Sequence, residues 1–112
     1  IKDKGEFQMK KIMLVCSAGM STSLLVTKME QAAEKVGDEV EIFALPMSDG
    51  INRLSTVDCV LLGPQVRFNL GKIKEEAAKV NPGLPVDVID MKDYGMMNGE
   101  KVYNYAKKLM DE

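Results

Sequence analysis

The 112-residue chain predicts an α/β fold, a single-domain four-stranded parallel sheet in the order 2-1-3-4 with helices on both faces. Three observations carry that prediction. Short apolar runs alternate with segments of helical spacing four times over, giving the order βαβαβαβα. Two of those runs, Ile12 to Cys16 and Val57 to Gly63, are apolar almost throughout, as strands covered on both faces are. The length and the 46% content of hydrophobic residues suit one core.

Each element has its own signal. Ile1 to Gln8 is polar and without period, and reads as an expression remnant or a loose extension; Met9-Lys10-Lys11 looks like a natural start, which leaves 9–112 as the domain. Lys11 to Val15 reads as a buried strand. Ser23 to Val36 places Leu25, Met29, Ala32 and Val36 on one helical stripe, and Gly37 supplies the left-handed exit. Glu39 to Leu45 alternates apolar and acidic residues, which suggests a strand nearer an edge, closed by Pro46. Ser48 to Leu54 predicts a short helix capped by Ser48, and Val57 to Leu62 the central strand. Val66, Leu70, Ile73, Ala77 and Val80 predict one amphipathic helix, stopped at Asn81-Pro82-Gly83. Pro85 to Ile89 supplies the fourth strand, and Gly99 to Met110 the last helix, on Val102, Ala106 and Leu109.

Composition narrows the functions. With 15 basic and 17 acidic residues well mixed, net charge −2 and arginine only at Arg53 and Arg67, the chain lacks the basic face that nucleic-acid binders need. No run approaches the roughly 20 apolar residues of a membrane span, so the protein is expected to be cytoplasmic, without inserting into a membrane. There is no histidine, which excludes Ser-His-Asp and Cys-His catalysis, His-ligated metals and a phosphohistidine. No cofactor or metal is expected. The two cysteines occupy different settings: Cys59 lies inside an apolar run as a small hydrophobe, whereas Cys16 ends its run and opens a polar loop. Reduced thiols with different roles are the better reading than a disulfide.

In an open parallel sheet of this order, ligands bind beyond the carboxyl ends of the strands, where strand order reverses. The loop after strand 1 lies there, and it runs Cys16-Ser17-Ala18-Gly19-Met20-Ser21-Thr22-Ser23. Small residues let backbone amides turn inward as an anion nest, and the following helix adds unpaired donors and the positive end of its dipole. Hydroxyls of Ser17, Ser21, Thr22 and Ser23 supply further donors, one of them capping the helix. A helix N-terminus also favours thiolate over thiol, so a cysteine at the lip of such a nest needs no histidine to become a nucleophile. In a generic strand-to-helix loop, simple packing explains a cysteine and a glycine equally well. The whole octet is more specific, and points to Cys16 as the reacting group with Ser17 to Ser23 around the phosphate.

The stretch Val15-Cys16-Ser17-Ala18-Gly19-Met20-Ser21-Thr22-Ser23-Leu24-Leu25 closely resembles the loop of the lactose/cellobiose-specific IIB family of bacterial sugar phosphotransferase systems. Val60-Leu61-Leu62-Gly63-Pro64-Gln65-Val66 resembles that family's third strand and the loop after it, and Val88-Ile89-Asp90 with Tyr94-Gly95 its fourth-strand segment. The resemblance covers Met9 to the C-terminus. It implies that Cys16 receives a phosphoryl group from a phosphohistidine of a IIA protein. It further implies that the group passes to a sugar held by a membrane IIC protein during uptake, a sugar of the cellobiose, chitobiose or lactose type. The wording of the motif looks more like the cellobiose branch.

Competing readings attach to the same loop. Low-molecular-weight tyrosine phosphatases place a cysteine loop after strand 1 of a similar sheet, but their loop ends in arginine six residues after the cysteine, where this chain has Thr22. Their general acid has one counterpart on the expected face, Asp90. A thiol-disulfide enzyme lacks its Cys-x-x-Cys, and a regulatory domain would leave Cys16 unmodified.

Residues expected near the loop carry bland alternatives. Pro64 and Gln65 follow strand 3 and either steady the loop, meet a partner or cap helix 3. Asp90 and Tyr94 either contact a partner or cap local turns. Met20, Met96 and Met97 form an adaptable apolar rim for IIA and IIC, or the last two simply cover the core. Arg67 reads as solvated or as meeting a partner's carboxylate, and the lysines of helix 3 read as solvated.

Overall fold

The computed structural model describes residues 9–17 and 20–110, without the side chains of Met20 and Ser21. The expected extension 1–8 and the two C-terminal residues lie outside the described residues. Four parallel strands, β1 (Lys10–Cys16), β2 (Val40–Pro46), β3 (Cys59–Leu62) and β4 (Val86–Val88), form one sheet in the order β2-β1-β3-β4. This is the expected architecture and order.

Alternation along the two central strands divides the apolar residues between the faces. Ile12 and Leu14 of β1, with Cys59 and Leu61 of β3, join Leu25, Met29 and Ala33 of α1 (Met20–Lys35) and Val102, Tyr103 and Ala106 of α5 (Gly99–Leu109). Met13, Val15, Val60 and Leu62 face the other way, onto Leu54, Val66 and the Ile73 and Ala77 of α3 (Leu70–Val80). Burial on both sides is why β1 and β3 read as unbroken apolar runs.

Several boundaries differ from expectation, each for a local reason. β3 begins at Cys59 because Asp58 ties the strand starts together: its N–H donates to the Lys11 carbonyl (2.8 Å) and its Oδ2 accepts from the Lys11 N–H (2.9 Å). The stripe of α1 ends on Ala33, while Ala32 is half-buried and Val36 is 61% exposed. The helix has stopped by Val36: Gly37 N–H bonds Glu34 O and Asp38 N–H bonds Ala33 O, the paired bonds of a Schellman exit with Gly37 at φ +80°.

The Ser48-capped helix is instead α2 (Met47–Gly50), N-capped by Pro46 without a side-chain bond and continued as a 3-10 segment, Ile51–Thr56. The third helix is likewise two pieces. Pro64–Asn69 is 3-10, Val66 leaves helical geometry (φ −116°, ψ 21°), and α3 starts at Leu70. Pro64 at the segment's start and the Arg67 Nη1 bond to its carbonyl (2.8 Å) hold the tighter turn. One short helix, α4 (Met91–Gly95), was not expected at all.

At the open edge of the sheet, β4 hydrogen-bonds β3 through the Pro85 carbonyl and the Ile89 amide, so Val86 and Val88 turn their polar backbone groups outward. The Val88 N–H is taken by Asp87 Oδ1 (2.8 Å), and Asp87 Oδ2 accepts from the Tyr105 hydroxyl. That bond, and then burial, push the Tyr105 phenol up to about 12.

Candidate functional site

β1 ends at Cys16, which pairs with Pro46 of β2, and α1 starts four residues later, so Cys16 and the start of α1 lie at the carboxyl end of β1. Ala18, Gly19 and the side chains of Met20 and Ser21 lie outside the described residues, and with them the amide nest drawn from the sequence. Ser17 and Ser23 are exposed, whereas Thr22, in the first turns of α1, is 1% exposed.

The thiol itself departs from the expected open lip. Cys16 is 0% exposed, and its Sγ lies 3.9 Å from the Leu45 carbonyl oxygen of the neighbouring strand. The reason is the length of the β1–β2 ladder, which continues through Cys16 and keeps the residue within the sheet. Its alternation places it on the face of Ile12 and Leu14. It is a fully buried thiol at the end of the sheet.

Cys59 is different in kind. It lies among core residues opposite Ile12, and burial, then the charges of Asp58 and Asp87, push its thiol up to about 12. Both cysteines are free. Cys16 lies four positions along β1 from Ile12, the residue beside Cys59, roughly 13 Å along the strand, beyond the Cα separation of about 7 Å that a disulfide tolerates.

Two of the sequence-selected side chains converge on the phenol of a third. The Tyr94 hydroxyl of α4 receives a hydrogen bond from Gln65 Nε2 (3.1 Å) and lies 3.3 Å from Thr22 Oγ1. The segments after β1, β3 and β4 thus meet through one oxygen. Gln65 does not cap α3; it folds back over Gly63, where a Cβ would collide with its Oε1. Pro64 is buried at the head of its 3-10 segment.

Asp90 is the N-cap of α4, its Oδ2 accepting from the amides of Lys92 (3.0 Å) and Asp93 (3.1 Å). The two methionines after α4 part ways. Met97 packs against the α1/α5 core from a left-handed position, φ +52°, and Met96 is 65% exposed. Phe68, Met91 and Leu24, from the segments after β3, β4 and β1, are also exposed. Sequence reading passed over Phe68 and Leu24 in this role. Their only signal was an apolar residue standing off its helical stripe.

No group of three or more histidine, cysteine, aspartate or glutamate side chains suited to a metal occurs among the described residues, and no described helix is long and apolar enough to cross a membrane.

Known proteins of this shape and sequence are specific in kind. The family model described as PTS system, lactose/cellobiose-specific IIB subunit, matches residues 11–105. The chain is 47% identical over 102 residues to the PTS system oligo-beta-mannoside-specific EIIB component of Bacillus subtilis (strain 168), covering 91% of this chain and 97% of that one. It is 49% identical over 107 residues to the PTS system galactose-specific EIIB component of Lactococcus lactis subsp. cremoris (strain MG1363), with the same coverage. Among solved structures, the cellobiose-specific phosphotransferase IIB component of Borrelia burgdorferi superposes with a TM-score of 0.76 at 38% identity, covering 93% of this chain and 94% of that one.

Proposed function

The chain belongs to the lactose/cellobiose-specific IIB subunit family of the PTS system, a family of phosphotransferase components, and from that premise we propose that Cys16 is its phosphoryl carrier. In the first half-reaction the Cys16 sulfur attacks the phosphorus of a phosphohistidine on a IIA protein. The S–P bond forms as the N–P bond breaks, and the imidazole leaves with the proton that the thiol gives up. In the second, a hydroxyl of a sugar bound to a membrane IIC protein attacks the same phosphorus; the O–P bond forms as the S–P bond breaks, and the hydroxyl proton returns to the departing sulfur. Both steps take place on the cytoplasmic side. In-line transfer of this kind depends on positioning and charge stabilisation more than on covalent help from the protein.

The observation that carries the reading is the placement of Cys16 at the end of a central strand, immediately before the N-terminal turns of α1 and the buried Thr22. Hydrolysis of free phosphate esters has less support. Thr22 stands at the position of the phosphatase arginine, and the carboxylate of Asp90 is engaged in capping α4. Exposed Phe68, Met91, Met96 and Leu24 lie in the segments around the same end, and they fit a docking rim for the IIA and IIC partners. The relatives' names divide among oligo-beta-mannoside and galactose at nearly equal identity, which fits a sugar choice made outside this chain.

Intact-mass measurement after incubation with a phosphorylated IIA protein tests the assignment. The wild-type chain gains one phosphoryl group and Cys16→Ser gains none while keeping its fold. Full acceptance by Cys16→Ser, or steady turnover of p-nitrophenyl phosphate by the wild type, overturns it.

A further inference from the structure

We propose that the Tyr94 hydroxyl is the positioning group of the phosphoryl site, held by Gln65 and in turn aiming the proton of Thr22 at a phosphoryl oxygen on Cys16. The inference deepens the phosphocarrier reading and rests on it.

The donor inventory fixes the first bond of the relay. The Gln65 side-chain nitrogen can only donate, so its 3.1 Å bond places a hydrogen on the Tyr94 oxygen. In the proposed relay the phenol donates to Thr22 Oγ1, 3.3 Å away, a pair in which either hydroxyl can be the donor. With that oxygen accepting, the Thr22 hydrogen is released for a third partner. The chain of groups runs from an exposed amide to a hydroxyl that is 1% exposed, in the first turns of α1 and six residues after Cys16. Each member polarises the next, which strengthens the terminal donor.

Such an arrangement suits a carrier. A guanidinium at position 22 would hold a phosphate dianion through two charge-assisted bonds, whereas a neutral hydroxyl binds it more weakly and lets it go. What the hydroxyl lacks in charge it recovers in orientation, supplied by residues from two other loops. Three separate strand ends meet at one phenol, a geometry that packing alone does not require of an exposed glutamine.

The test uses full chains carrying Tyr94→Phe, Gln65→Leu, Thr22→Val, Thr22→Ser and the double change Tyr94→Phe/Thr22→Val. Each is loaded from a phosphorylated IIA protein, with single-turnover rates read by quenched intact mass and the phosphocysteine titrated by phosphorus NMR. Tyr94→Phe, which keeps the ring, slows loading about tenfold, the worth of one hydrogen bond to a charged group, and raises the second pKa of the phosphocysteine. Gln65→Leu, altered at an exposed site, moves both readouts the same way by less. Thr22→Val matches Tyr94→Phe, Thr22→Ser recovers most of the rate, and the double variant is no slower than either single one. Unchanged loading and titration in Tyr94→Phe, or losses that multiply in the double variant, overturn the relay while leaving Cys16 as the carrier. A wild-type chain that takes no phosphate removes the phosphocarrier reading and the relay together.

Discussion

Replacing Gly99 with alanine probes the seam between α1 and α5, and a second glycine in the same molecule calibrates the result. Gly99 opens α5 and is buried against α1, where an added Cβ would lie 2.7 Å from the Lys28 carbonyl oxygen and closer still to other Lys28 atoms. Those neighbours include backbone, so relief requires one helix to move from the other rather than a side chain to rotate. Forcing a methyl into a filled interface costs about 1–3 kcal/mol. Alanine's better helix propensity returns at most about 1 kcal/mol, and less at a first helical position. The expected net loss is therefore about 1–2 kcal/mol, a fall in Tm of roughly 4–8 °C per kcal/mol for a domain near 100 residues. Gly71, in the first turn of α3, meets nothing within 4 Å. Gly71→Ala isolates the propensity term and raises Tm by a few degrees. Both variants are read by urea and thermal unfolding monitored by circular dichroism. Gly99→Ala matching or exceeding the wild type, or shifting in step with Gly71→Ala, refutes the claim that the helices touch through backbone at this point.

Two further predictions concern ionisation. The folded Cys59 thiol is pushed up to about 12, above its ordinary value near 8.5, so its contribution to stability is complete below pH ~8.5 and lost as pH rises toward 12. At about 1.4 kcal/mol per pKa unit, the loss between pH 9 and 12 is on the order of 4 kcal/mol. Urea unfolding from pH 7 to 10.5 shows a steeper decline for the wild type than for Cys59→Ala; parallel curves count against a buried, neutral thiol. Asp38 is held below the usual carboxylate range by hydrogen bonds from Lys107 Nζ (2.6 Å) and the Tyr103 hydroxyl (2.8 Å). A lowered folded value stabilises above the unfolded pKa of about 3.9 and is lost as pH falls through the folded one. Because the pair is partly exposed, Lys107→Met costs about 0.5–1 kcal/mol at pH 7 and flattens the acid limb of the stability curve. An acid limb as steep as the wild type's places the dependence elsewhere.

Legibility followed the reach of each physical signal. Strand order could be read because β1 and β3 are buried on both faces and so lose the alternation that marks β2. The exit of α1 was visible in Gly37, since a single residue answers there for a left-handed φ. The stripe was misphased by one residue at its end, Ala32 for Ala33, because apolar residues occupy both positions and only packing on β2 and α5 chooses between them.

Shorter elements left weaker traces. Helix α4 spans five residues, too few for a helical period to show. Its cap was nonetheless written in Asp90, followed three positions later by Asp93, the spacing of an acidic N-terminal turn. The break at Val66 was hidden because a 3-10 segment feeding α3 still buries that residue on the same side as Ile73 and Ala77. At the site, topology brought Thr22, Gln65 and Tyr94 to one edge, yet their meeting is a contact across 29 and 72 residues of chain that no local pattern encodes. The covering of Cys16 was equally out of reach, since it depends on how far β2 accompanies β1.

The way β4 finishes the sheet bears on how the protein lives among copies of itself. A border of three residues whose outward amide at Val88 is already occupied by the adjacent carboxylate gives a neighbouring molecule little to zip onto. On the opposite margin, exposed Glu41 in β2 sets like charges against each other whenever two such margins approach. High local concentration therefore does not stitch one molecule's sheet to the next at either margin.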